Sequence, residues 1–120
     1  MSGNTTPKFW FDLDGRKFGA HFLTIAEQAQ AQVEIERLTN GNFSDWMKSG
    51  DPSQSGAAVM AQCAVYLNRA VVAWPADMPQ TDLLESDDVE FVVRMWGAYG
   101  EAATTFRQRG AAPRSSDSVG

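Results

Sequence analysis

The chain has 120 residues, 43% of them hydrophobic, with 7 Phe and 4 Trp; that length suits one domain with one core, and that apolar content excludes wholesale disorder. A formal net charge of -5 and a pI near 4.7 argue against a surface built to neutralise phosphates, which needs clustered Lys and Arg. The single Cys63 excludes an internal disulfide, and no stretch approaches the ~20 apolar residues that span a bilayer.

In chain order, residues 1–8 are polar and lack the apolar core of a secretory signal, so they are expected to be a flexible N-terminus. Residues 9–22 carry the sharpest local signal. Asp14-Gly15 is a preferred two-residue turn whose positive φ angles match the twist of a hairpin. Pairing outward from it sets Leu13 against Arg16, Asp12 against Lys17, Phe11 against Phe18, Trp10 against Gly19 and Phe9 against Ala20. Alternation then gathers Phe9, Phe11, Leu13, Phe18, Ala20 and Phe22 on one face. The other face carries Trp10, Asp12, Lys17, Gly19 and His21. A hairpin alone is marginal, so helices must cover its apolar side.

Thr24-Ile25-Ala26-Glu27 reads as a capping box that opens a helix running to about Thr39 and stopped by Asn40-Gly41. Ile25, Ala29 and Val33 form one stripe on it and Ala31, Ile35 and Leu38 another, which predicts two neighbours. A short helical turn is expected at 44–48 and a loop at 49–56. Residues 57–74 are apolar in nearly every helical direction and predict a central helix ended by Pro75. The stretch from Pro75 to Leu84 should be extended or irregular. Ser86 is expected to cap a last helix over about 87–109, with Asp87 and Asp88 in its first turn. Val89, Val92, Trp96, Tyr99, Ala103 and Phe106 share one face of it. Gly97 and Gly100 lie inside it, as if to admit another backbone. Residues 110–120, rich in Gly, Ala, Ser and Pro, read as a flexible tail. The fold class is therefore α+β, mainly α: an N-terminal hairpin packed on a small bundle of three main helices, as one domain over 9–109.

Chemistry is sparse. His21 has no second histidine or metal-spaced cysteine to join it and falls on the polar face, where a surface role is expected. Cys63 lies in the most apolar helix and reads as a small hydrophobe. The acidic pairs Asp12/Asp14, Glu34/Glu36 and Asp87/Asp88 read as strand face, solvated helix and helix N-terminus. Gly97 to Gly100 sits within a helix, unlike a phosphate loop. Arg107, Arg109 and Arg114 read as a solvated tail. No catalytic, metal-binding or cofactor-binding residue is expected, and the chain reads as a binding protein rather than an enzyme. Of the aromatics Trp46, Trp74, Trp96 and Tyr99, most belong to the core; Trp10, Trp96, Tyr99 and Phe106 are the candidate partner-binding residues, with Trp10 expected to be exposed.

The order of elements over residues 9–107 resembles the tail assembly chaperones of long-tailed bacteriophages. The resemblance lies in the aromatic hairpin FWFDLDGRKFGAHF, the acidic helix LTIAEQAQAQVEIERL, an alanine-rich helix closing at Trp74-Pro75, and the final helix DDVEFVVRMWGAYGEAATTFR. It implies a nonstructural protein of the host cytoplasm, absent from the mature virion. Such a protein binds the tape measure protein, with the tail tube protein as a further partner, and keeps it soluble until the tube forms. It implies no nucleic acid and no membrane, and leaves a homo-oligomer open. Two other readings compete: a minor structural head-to-tail or tail component of the virion, and a small acidic inhibitor of a host nucleic-acid-binding protein.

Overall fold

The computed structural model describes residues 6–119, with side chains through Arg109. Strands β1 (Phe9–Leu13) and β2 (Arg16–Ala20) form the hairpin with the expected register, Phe9 opposite Ala20 through Leu13 opposite Arg16. Asp14 (φ 55°) and Gly15 (φ 76°) both take the left-handed conformation that a type I′ turn requires. Phe9, Phe11, Leu13, Phe18 and Ala20 are buried, as the alternation predicts.

Helix α1 (Ile25–Leu38) starts on the predicted capping box: the Glu27 amide donates to Thr24 Oγ1 (3.1 Å), and the Thr24 amide donates to Glu27 Oε1 (2.9 Å). It stops at Asn40 and Gly41, both at positive φ. Helix α2 (Phe43–Lys48) follows. The loop expected over 49–56 is shorter than composition suggested, because α3 begins at Pro52: Asp51 accepts from the Ser53 amide (2.9 Å), and proline sits where a helix needs no N–H.

Helix α3 (Pro52–Ala70) ends four residues before the predicted Trp74. Val71–Ala73 instead form β3, which pairs antiparallel with β2 (Gly19 opposite Ala73, Ala20 opposite Val71, with an irregularity between). The sheet is thus three-stranded, in the order β1-β2-β3. The β-branched pair Val71-Val72 favours the pleated state once an edge is available. Gly19 fits there because a Cβ would lie 2.6 Å from Pro7 Cγ and 3.0 Å from Ala73 Cβ.

After an irregular stretch and a 3-10 turn (Leu83–Glu85), tied to α3 by the Leu83 amide donating to Asn68 Oδ1 (2.9 Å), α4 spans Val89–Val119. Its cap is Asp88, which accepts from the Phe91 amide (3.0 Å); Ser86, the predicted cap, instead accepts from the Asp88 amide (3.1 Å). The helical backbone continues beyond the predicted end near Arg109, to Val119; side chains of the expected 110–120 tail lie outside the described residues, as do residues 1–5 of the N-terminus.

The core has two clusters on opposite sides of α3. On one side Cys63, Ala64 and Leu67 meet the sheet's apolar face and Val92, Met95 and Ala103 of α4. On the other, Val65 and Ala70 meet Leu23, Ala31 and Ile35. The fully buried Met95 joins Val92 and Ala103 on the inward face of α4, whereas Val89 and Phe106, at the two ends of the predicted stripe, are exposed. A Cβ at Gly97 or Gly100 would meet nothing within 4 Å, so no backbone among the described residues approaches there, contrary to expectation. On α1 Ala31 and Ile35 are covered, while Leu38 of the same stripe (44% exposed) and Ile25 (87%) and Val33 (69%) of the other are not; the second predicted neighbour is missing among the described residues.

Candidate functional site

The sequence leads to four aromatics, and the structure splits them. Trp96 and Tyr99 are partly buried: Trp96 stacks on Tyr99 (centroids 6.1 Å) and meets Tyr66 edge-on (6.1 Å), while Tyr99 packs on Phe9 (5.6 Å) and Phe11 (6.5 Å). Burial pushes the Tyr99 phenol above its ordinary pKa. Both rings serve the interior. Trp10 (51% exposed) and Phe106 (39% exposed) face one open groove.

That groove, about 650 Å³, has β1 as one wall and α4 as the other. Lys8, Phe9, Trp10, Phe11 and Asp12 line the first; Ala98, Glu101, Ala102, Thr105, Phe106 and Arg109 line the second. Side chains of a strand alternate between faces. Five consecutive residues can therefore line one groove only where it runs along the strand's edge, so that the backbone is itself the wall. The sheet order agrees, since β1 is an edge strand.

The walls run antiparallel and are fastened at both ends. Near the turn, the Arg94 guanidinium donates to Asp14, holding the Asp14 carboxyl below its ordinary pKa and Arg94 above its own. At the far end Phe106 packs on Phe9 (5.7 Å) and Phe22 (5.8 Å), and Arg107 lies over the Phe22 ring, 4.1 Å from its centroid. This orientation sets Lys8 and Arg109 toward one end of the groove and Asp12 and Glu101 toward the turn. Asp12 has an exposed ion pair with Lys17 (3.4 Å).

Sequence reasoning found Trp10 and Phe106 but missed Ala98, Ala102 and Thr105. Their one available signal is a run of small side chains beside the aromatic stripe of α4.

His21, expected at the surface, is half-buried: its backbone amide donates to the Ala70 carbonyl (2.9 Å) and its ring Nε2 lies 3.0 Å from the Arg69 carbonyl oxygen. It fastens the end of α3. Cys63 is buried, and desolvation pushes its thiol up to about 11. Among the described residues no group of three or more His, Cys, Asp or Glu is placed to hold a metal ion, and no helix is long and apolar enough to cross a membrane.

A second apolar recess, about 250 Å³, opens between α1, α3 and the start of α4, lined by Leu38, Met60, Leu84 and Val89 among others. It carries few polar groups to fix a ligand's orientation. No family model matches the chain, and no curated protein or solved structure is significantly similar to it.

Proposed function

We propose that the chain is a tail assembly chaperone of a long-tailed bacteriophage, which binds the tape measure protein in the host cytoplasm and keeps it soluble before the tail tube assembles. The observation that carries a polypeptide-binding role is the open groove between β1 and α4, with the exposed aromatics Trp10 and Phe106 on its two walls. Trp and Phe supply large apolar contact area to a partner. The uncovered Ile25 and Val33 of α1 add a second apolar surface suited to a helical client. The client's identity comes from the resemblance of the hairpin and helix order to this chaperone family. A net charge of -5 favours basic client segments and helps to keep a complex dispersed.

Coexpression tests the reading. Soluble tape measure protein should rise several-fold with the intact chain, and the gain should fall with the Trp10→Ala/Phe106→Ala double variant. Unchanged client recovery sinks it. A stoichiometric copy number in purified virions would instead identify a structural component.

A further inference from the structure

We infer that the groove beside β1 takes an extended segment of a partner polypeptide, which adds to the sheet as a fourth strand on the free edge of β1. The inference rests on the groove being a polypeptide-binding site, and says what form the bound segment takes.

The backbone carries the argument. In a hairpin closed by a two-residue turn, the flanking pair Leu13–Arg16 is hydrogen-bonded, and bonded and non-bonded pairs then alternate. Phe11 and Phe9 therefore bond toward β2, whereas Asp12 and Trp10 turn their N–H and C=O groups away from it. On the other side Gly19, opposite Trp10, pairs with Ala73 of β3, and two residues on the His21 amide donates to the Ala70 carbonyl (2.9 Å), as the same alternation requires. By that alternation the outward groups of Trp10 and Asp12 lie on the side of the groove that both residues line. Edge groups of this kind template a further strand.

Dimensions agree. Five residues of β1 span about 17 Å, and the α4 wall from Ala98 to Arg109 spans about 17 Å as well. Ala98, Ala102 and Thr105 keep that wall low enough to admit a chain.

Charge defines the occupant. With Lys8 and Arg109 at one end and Asp12 and Glu101 toward the other, the groove favours a segment carrying an anionic side chain at the first end and a cationic one at the second. Between them, alternate apolar side chains would meet Phe106 and the alanines. A second copy of this chain is disfavoured as occupant, since each copy carries a net charge of -5.

The test selects from a displayed library of random peptides about ten residues long against the full chain, then follows residue-resolved amide hydrogen exchange. Selected peptides should alternate apolar and polar residues between oppositely charged ends. Their binding should slow exchange at Trp10 and Asp12 by at least about tenfold, with Phe9, Phe11 and Leu13 little changed. Trp10→Pro removes an outward N–H and no β1–β2 bond, and should weaken the selected peptide at least about tenfold. Should that variant unfold by circular dichroism, Thr105→Trp fills the groove from the helix side and should give the same loss.

Selection of no peptide, or binding that leaves the Trp10 and Asp12 amides unprotected, overturns the proposal. So does concentration-dependent protection in a dimer of the chain alone. A client kept soluble by the Trp10→Pro and Thr105→Trp variants would sink strand addition and spare the chaperone reading. A strand-adding peptide beside an unaffected client would do the reverse.

Discussion

Cys63 is 1% exposed, on the side of α3 that meets the sheet and α4. Its thiol, raised to about 11 by desolvation, is almost wholly protonated at neutral pH, and the thiolate is the reactive form. Alkylation of the native chain by iodoacetamide at pH 7.5 should therefore run at least about 100-fold slower than in the urea-unfolded chain; equal rates would contradict this burial.

Asp14 behaves in the opposite sense. Its hydrogen bond from Arg94 lowers its pKa, so the contact's contribution to stability is complete above the unfolded aspartate value of about 4 and fades as pH falls through the lowered folded value. In Arg94→Gln the carboxyl titration of Asp14, followed by carbon chemical shift, should move back up toward the ordinary value. No shift would mean that the side chains do not meet in solution.

Among the elements, the hairpin was legible because its determinants are local. A two-residue Asp-Gly turn fixes the register, and alternation fixes which residues go inside. The α1 boundaries were legible for the same reason, since a capping box and an Asn-Gly stop each lie within a few residues. Strand β3 was not, because Val71-Val72-Ala73 prolongs the apolar run of α3, and periodicity does not separate a short buried strand from the end of a buried helix. What selects the strand is the free edge of β2, about fifty residues earlier in the chain. Gly19 records that pairing. Gly19→Ala places a methyl against Pro7 and Ala73, and should cost about 1–3 kcal/mol in urea unfolding. A neutral result would mean that β3 does not dock closely on β2.

At the scale of the molecule, α3 is the shared wall of both core clusters, so the sheet with α4 lies on one side and α1 on the other. Arg69 reinforces the α1 side, donating to Gln30 Oε1 (3.1 Å) and Glu34 Oε1 (3.4 Å). The groove was only half legible in the sequence. Trp10 stood out as an apolar residue on a polar face, which is a local fact. That Phe106 would share its groove depends on how α4 lies across β1, nearly a hundred residues away in sequence, and on the stripe's two ends, Val89 and Phe106, reaching past the core that buries Met95. Such docking is decided by packing between elements.

The clasp of α4 to both ends of the hairpin, by Arg94 on Asp14 and by Phe106 on Phe9, ties the two walls of the groove together. Should a partner chain add there as proposed, it would meet a seat already open, and capture speed would depend on diffusion and on the guest's own straightening more than on rearrangement of the host.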